Sequence, residues 1–357
     1  YVKKKISVDL KRAEFENSKQ GRLLKAVGRE NFRQNKEYVQ KYGWKAFYHY
    51  LEVQMNPQYG DYNLWFKQHS ATGPVLKRQK KYRFSYAPKI SVVIPLYNTP
   101  LKYLKEIIDS LLGQSYGNLE ICLADGSSEE GPGKLIKKRY GKDPRVRYQK
   151  LKKNMGISEN TNAAIDMASG EYIMLSDHDD VVTRDALFEI VKAINKNRDA
   201  DIIYTDEDKV TMDGKDYFDP SFKPDYNIDF LRSSNYICHI FTVKRSLLEE
   251  AGKFRHEYDG AQDFDLILRC CEKAKKIIHI PKILYHWRSH PNSTAGKPES
   301  KMYAFEAGKK ALEAHYARLD IKAKVELTPL FGRYRTIYEV TGHPKVSIII
   351  PNKDHVE

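Results

Sequence analysis

Between Tyr172 and Asp180 the chain reads YIMLSDHDD, an apolar run that stops in Ser176 and then meets Asp177, His178, Asp179 and Asp180. A strand buried on both faces reads as a continuous apolar run, and its carboxyl end is where open α/β sheets bind ligands. Three carboxylates within four residues repel one another unless a cation or solvent neutralises them. Hard divalent cations that carry phosphate take one or two carboxylates together with phosphate oxygens. The stretch is therefore read either as a metal and diphosphate site or as an acidic helix N-terminus, which needs no metal.

The same pattern of apolar run and polar end recurs along the chain. Ile90 to Leu96 is a continuous, largely β-branched run, followed by Asn98 or Thr99 as a helix cap with Pro100 at the first helical position. Leu101, Leu104, Ile107, Ile108, Leu111 and Leu112 then fall on one helical face before Gly113. A second strand, Leu119 to Ala124, ends in Asp125-Gly126-Ser127-Ser128. A third, Val146 to Gln149, precedes Asn154-Met155-Gly156 and a helix to Ala168. After a helix near Asp185 to Asn195, Ile202 to Tyr204 reads as a strand with Asp206, Glu207 and Asp208 beyond it. Residues 213–235 read as a long ordered loop over the rim, and Ile237 to Val243 as another strand. A helix starts at or near Asp263. Short strands follow at Ile277 to Ile280 and Leu284 to His286, then a helix from about Ser300 to Arg318. Strands alternating with helices predict an α/β, Rossmann-like, doubly wound sheet whose loops share one rim.

At 357 residues and 41% hydrophobic content the chain is long enough for one large domain or two ordinary ones. The net charge is +14. Residues 1–88 hold 19 Lys and Arg against 7 Asp and Glu, so +12 of the excess lies there. That basic segment suits an anionic membrane surface or simply solvent, and no nucleic-acid-binding module accompanies it. Aromatics from Tyr42 to Trp65 are read as packing onto the following domain, with a membrane-surface or glycan-stacking face as the alternative. Cys122, Cys238, Cys270 and Cys271 show no C-x-x-C spacing and read as reduced core thiols of a reducing compartment. No apolar run approaches the ~18 residues that cross a bilayer. The absence of G-x-G-x-x-G after the first strand argues against a dinucleotide-dependent oxidoreductase.

His343 to Pro351, HPKVSIIIP, echoes Ala87 to Pro95, APKISVVIP, at an offset of 256 residues. With a first residue Tyr1 instead of Met, the chain is expected to be a piece of a tandem protein that stops just inside a second copy.

Pro95-x-Tyr97-Asn98, Asp125-Gly-Ser127, Asn154-x-Gly156, Asp177-x-Asp179-Asp180 and Gln262-Asp263 occur in one order and together resemble the family 2 glycosyltransferases over about residues 88–295. The closing GAQDFDLILR and YHWRSHPNSTA most resemble bacterial tandem transferases of O-antigen and cell-wall polysaccharide assembly, rhamnosyltransferases among them. The resemblance implies the GT-A fold and an inverting transfer from a nucleotide-diphosphate sugar to a glycan or lipid-linked oligosaccharide, assisted by Mn2+ or Mg2+. It implies that Asp177 lies near ribose and metal, that Asp179 ligates the metal, and that a histidine, His286 or alternatively His290, adds a ligand. Asp180 is read as a cap for the next helix. By the same resemblance Asp125 accepts from the base beside Pro95 and Tyr97, while Asn98, Ser127, Asn154, Gly156 and Arg288 contact the donor. Asp263 is then the general base, and the glutamate that precedes it in the family is Gln262 here. A degenerate, non-catalytic glycan-binding module is the competing expectation. The expected organisation is a basic, mainly helical extension (1–87), a catalytic domain (88–320), a connector (321–342) and the first strand of a second glycosyltransferase domain (343–357). The expected location is cytoplasmic, peripheral on the inner face of a bacterial plasma membrane.

Overall fold

The computed structural model describes residues 36, 39, 44, 62–289, 302–343, 345–351 and 353. Most of the basic extension, including the aromatics from Tyr42 to Tyr59 other than Trp44, lies outside the described residues, as does His290. From Tyr62 onward the extension forms helices α1 (Tyr62–His69) and α2 (Gly73–Lys81).

The centre is β1 (Ile90–Leu96), buried at all seven positions as its unbroken apolar run requires. It pairs in parallel with β2 (Leu119–Asp125) and β4 (Tyr172–Leu175), and β2 pairs in parallel with β3 (Val146–Lys150). Between them run α3 (Leu101–Leu112), α4 (Gly131–Tyr140) and α5 (Ile157–Met167). Helix α4 has no counterpart in the sequence reading, because its Gly-Pro-Gly start and four cationic residues mask a short apolar face of Ile136 and Tyr140.

Beyond β4 the sheet stops being wholly parallel. It continues through β5 (Val181–Val182), β6 (Ile202–Val210), β7 (Tyr217–Ser221), β8 (Phe241–Lys244) and β9 (Ile277–Arg288), in the order β3-β2-β1-β4-β8-β6-β9-β5 with β7 on β6. Strand β8 is antiparallel to both β4 and β6, so the doubly wound parallel sheet expected from sequence is a mixed one. The expected short strands at 277–280 and 284–286 are one strand. Pro281 interrupts its apolar pattern, and the register shifts at that point instead of breaking. The acids Asp206, Glu207 and Asp208 lie inside β6 rather than beyond it.

Helices α6 (Ala186–Lys196), α7 (Ile228–Ser233), α8 (Arg245–Ala251), α9 (Gln262–Lys273) and α10 (Met302–Arg318) complete the layers. Two apolar clusters flank the sheet. Val92 and Ile94 of β1 join Leu104, Ile107, Ile108 and Leu111 of α3, whereas Val93 joins Phe264, Ile267 and Leu268 of α9. Each fully buried aliphatic side chain contributes about 1.5–3 kcal/mol, so both faces of β1 are fixed by burial. Residues 321–342, expected as a connector, carry an antiparallel hairpin, β10 (Ala323–Leu327) and β11 (Tyr334–Tyr338), packed on α10. Residues 345–350 pair with no strand among the described residues, and Val346, Ile348, Ile349 and Ile350 are exposed.

Candidate functional site

The carboxyl ends of β1, β2 and β3 are joined by side chains. Asn98 takes a positive φ of 47°, its N–H donates to Ser127 Oγ at 2.8 Å, and its Oδ1 accepts from the Ser128 N–H at 3.2 Å. Asn98 therefore braces a loop and does not cap α3, which begins after Pro100. Thr99, the other expected cap, has its Oγ1 buried without a partner. Asp125 is fully buried and accepts from the Ser127 N–H (2.8 Å), Tyr148 Oη (2.8 Å) and Lys150 Nζ (3.4 Å). Asn154 Oδ1 accepts from the Gly156 N–H at 3.1 Å and from Asn160 Nδ2 at 2.8 Å. A Cβ at Gly126 would come within 2.8 Å of Asn160 Nδ2 and 3.1 Å of Asn154 Cα, so a side chain there would displace Asn160 or push the two loops apart. Pro95, Asn98, Asp125, Ser127, Asn154 and Gly156 thus share one rim, with Tyr97 exposed beside them. Tyr148 and Lys150, which the sequence reading passed over, complete it.

Beyond β4, Asp177, Asp180 and His239 bring one ligand atom each within 4.8 Å of one another. His239 Nε2 is 3.6 Å from Asp177 Oδ2, and the ring stacks on Tyr285 at 4.7 Å. Tyr285 Oη donates to Asp180 Oδ2 at 2.6 Å and accepts from the Asp177 N–H at 3.1 Å. The Arg288 N–H donates to Asp180 Oδ1 at 2.7 Å. Burial, reinforced by Asp179 and Asp177, holds the Asp180 carboxyl well above the usual carboxylate range. Asp180 was expected to cap the next helix. Instead it is buried within the cluster, and Asp185 stands at the N-cap of α6. Asp179 lies on the same loop outside this trio, its Oδ1 3.8 Å from His178 Nδ1.

Strand alternation turns His286 away from this cluster, whereas Arg288 still reaches its loop, with Nε donating to Asp179 O at 2.6 Å. Tyr285 and Trp287 of β9 face it, so His286 and Arg288 face the other side. His286 is buried with Nδ1 2.5 Å from Asp208 Oδ1, and its ring packs on Phe66 and Tyr217. Asp208 also accepts from Tyr62 Oη at 2.6 Å. Arg288 is buried and pairs with Glu106 Oε2 at 2.6 Å over the Tyr103 ring. His286 was expected to join Asp177 and Asp179 and Arg288 to face the donor; here His286 is engaged by Asp208, and Arg288 braces the loop that carries Asp179. His239 was not recognised because its apolar neighbours, Ile237, Ile240 and Phe241, read as an ordinary strand.

A cavity of about 600 Å³ connects this cluster with Asp263 in the first turn of α9. Asn235 Nδ2 donates to Asp263 Oδ2 at 2.8 Å. Burial raises the Asp263 carboxyl, with His239 opposing and Asp177 adding to the rise. Gln262 Oε1 accepts from the Gly260 N–H, bracing the turn before the helix. Asp265, two residues beyond Asp263, turns inward to Arg255 and Arg269 and away from the cavity. Beneath the cavity, Lys223 Nζ donates to Ile237 O (2.7 Å), His239 O (2.5 Å) and Glu207 Oε2 (3.2 Å), and Glu207 accepts from the His239 N–H at 3.1 Å. This buried pair fixes the backbone that carries His239. Two carboxylates and an imidazole whose Nε2 lies 3.6 Å from Asp177 suit a hard or borderline divalent cation.

Residues 91–252 match the family model described as glycosyl transferase family 2. The chain is 44% identical over 296 residues to uncharacterized protein y4gI of Sinorhizobium fredii, covering 82% of this chain and 32% of that protein. It is 31% identical over 299 residues to the O-antigen biosynthesis protein RfbC of Myxococcus xanthus, covering 84% and 23%. The chain thus spans a third or less of the length of these curated relatives. Among solved structures, S. aureus TarS 1-349 in complex with UDP-GlcNAc superposes with a TM-score of 0.50 at 18% identity, covering 64% of this chain and 73% of that one, which concerns the fold alone. No described helix is long and apolar enough to cross a membrane. Residues 91–252 thus belong to glycosyl transferase family 2, and the chain carries them on a GT-A fold.

Proposed function

We propose that this domain transfers a sugar, with inversion, from a nucleotide-diphosphate donor to a growing bacterial surface polysaccharide or lipid-linked glycan. The observation that carries the reading is the single cavity in which Asp177 and His239 face Asp263. The name of the Myxococcus relative supports the polysaccharide class.

Asp177 and His239 would hold Mn2+ or Mg2+, with Asp180 and Asp179 on the same loop. When bound, the ion neutralises the charge that develops on the departing diphosphate. Asp180 is kept in position by Tyr285 Oη and the Arg288 N–H. The rim of Pro95, Tyr97, Asn98, Ser127, Asn154 and Gly156 receives the nucleotide, and Asp125 supports it by holding the Ser127 N–H, Tyr148 and Lys150 in place.

On the acceptor side Asp263 removes the hydroxyl proton as the oxygen attacks the anomeric carbon from the face opposite the diphosphate. The new C–O bond forms as the bond to the diphosphate oxygen breaks, and the proton ends on the Asp263 carboxylate. Burial raises that carboxyl, which makes it a stronger base than an exposed aspartate. Asn235 holds one carboxylate oxygen and so orients the other.

The repeat at 343–351 and the length of the relatives support a second transferase domain in the full protein. The basic character of residues 1–88 supports peripheral contact with an anionic membrane from the cytoplasmic side. The test is transfer from a panel of radiolabelled nucleotide sugars to lipid-linked oligosaccharide, with and without EDTA, and NMR assignment of the product anomer. Full activity in EDTA, or retention of the donor anomer, overturns the corresponding part of the reading.

A further inference from the structure

The catalytic cavity does not end at Asp263. A second cavity, of about 500 Å³, shares Glu207, Ser234, Asn235 and Arg333 with it, so the two adjoin at Asn235 and Arg333. The shared wall is also the wall of the chemistry, because Asn235 donates to Asp263. The second cavity has none of the β1, β2 or β3 rim residues in its lining, so it leads away from the donor end.

Its flanks are aromatic and open to solvent. Phe222 is 60% exposed and Phe230 36% exposed, while Phe331 at the hairpin tip of the first cavity is 47% exposed. Each ring is held by a neighbour. Trp65 meets Phe222 edge-on at 5.8 Å, Tyr236 stacks on Phe230 at 4.7 Å, and Phe305 stacks on Phe331 at 5.0 Å. The Arg333 guanidinium lies 5.8 Å from the Phe230 ring centre and ties the β10–β11 turn to α7. Between the rings, Ser221, Ser234, Asn235 and Arg333 supply hydroxyl, amide and guanidinium groups.

A pyranose has one apolar C–H face and a rim of hydroxyls, so a row of such rings needs flat apolar surfaces alternating with hydrogen-bonding groups. Rigid, exposed aromatics that cost little ordering entropy are suited to the first role, and neutral polar side chains to the second. From this shared wall we infer that the two cavities form one groove for an extended acceptor oligosaccharide. Its terminal sugar lies at Asp263 and its preceding sugars lie along Phe230 and Phe222. The inference rests on the transferase reading and adds to it that the acceptor is recognised over several sugars. Arg333, on a hairpin outside the family-matched segment, helps select which glycan is taken.

The test uses the full chain and fluorescently tagged ladders of one to six sugars, one of neutral hexoses and one of N-acetylhexosamines, titrated by anisotropy. Binding is expected to tighten with length in at least one ladder up to three or four sugars. Phe222→Ala and Phe230→Ala should weaken the tetrasaccharide roughly tenfold and leave the monosaccharide unchanged. Arg333→Ala should change the preference between the ladders. Both phenylalanines are surface residues, so unaltered thermal unfolding of the variants is checked alongside. Affinity that does not grow with length, variants that bind like the parent, or no binding to either ladder overturns the groove. Calorimetric titration of UDP and GDP with Mn2+ is run in parallel. Lost nucleotide binding with length-dependent glycan binding sinks the transferase reading alone. Intact nucleotide binding without length dependence sinks the groove alone.

Discussion

His286 and Asp208 form a buried pair, Nδ1 to Oδ1 at 2.5 Å, on the face of β9 turned away from Asp177. An imidazole so committed serves the packing of α1 against the sheet. His286→Ala should therefore leave Mn2+ affinity within about twofold while lowering stability by about 1–3 kcal/mol, since Asp208 loses a buried partner. His239→Ala should weaken Mn2+ roughly 10–100-fold. Titration of Mn2+ followed by electron paramagnetic resonance, with urea unfolding of both variants, separates the two. Equal loss of metal from both would restore His286 to the ligand set.

Asp263→Asn removes the proposed base but keeps the shape of the side chain and a hydrogen-bond partner for Asn235. Transfer should fall about 10²–10⁴-fold, the usual contribution of general-base catalysis. Nucleotide affinity measured by calorimetry should stay within about twofold, because Asp263 acts on the acceptor. A variant that loses nucleotide binding instead would make Asp263 a donor residue.

The Lys223–Glu207 pair is buried and holds the His239 backbone from both sides. Lys223→Met leaves Glu207 without its cation and should cost about 3–5 kcal/mol in urea unfolding. In the double variant with Glu207→Gln the unpaired charge is gone, so most of that stability should return while Mn2+ affinity stays reduced. Full recovery of metal affinity in the double variant would show that the pair supports folding only.

Glu120 is a pH-sensitive tie between β2 and its neighbours. Burial alone would raise its carboxyl, but hydrogen bonds from Ser91 Oγ, the Ser169 N–H and hydroxyl, and Lys89 outweigh it and bring it down to about 2. The folded value lies below the ordinary 4.5, so this stabilisation is complete above about pH 4.5 and is lost as the pH falls toward 2. Its size is on the order of 3 kcal/mol. Glu120→Gln should be less stable at neutral pH and show a flatter stability curve between pH 4.5 and 2. Parallel acid limbs for parent and variant in denaturant titrations would contradict this.

Much of the fold was readable because burial on both faces writes itself as unbroken apolar runs. Ile90–Leu96, Leu119–Asp125 and Tyr172–Leu175 stand where those runs predict. The amphipathic spacing of α3 likewise gave its ends to within a residue. The reading failed where polar residues are buried. Asp206, Glu207 and Asp208 look like the end of a strand, yet each is satisfied inside β6, by His279, by Lys223, and by His286 with Tyr62.

The sequence marked Asp125 and Asp177 as rim acids, because each comes at the end of an apolar run that burial on both faces requires. It implied Asp263 beside them only through the family resemblance. Only the tertiary structure decided which histidine joins them. A one-residue step along a strand reverses the face of a side chain, and β9 meets Asp180 through Tyr285, so His286 is carried to the far side. His239 comes to Asp177 because β8 runs antiparallel to β4, which brings the residues before β8 to the end of the opening acidic stretch. That pairing is set by the packing of the whole sheet, and no local pattern in the chain encodes it.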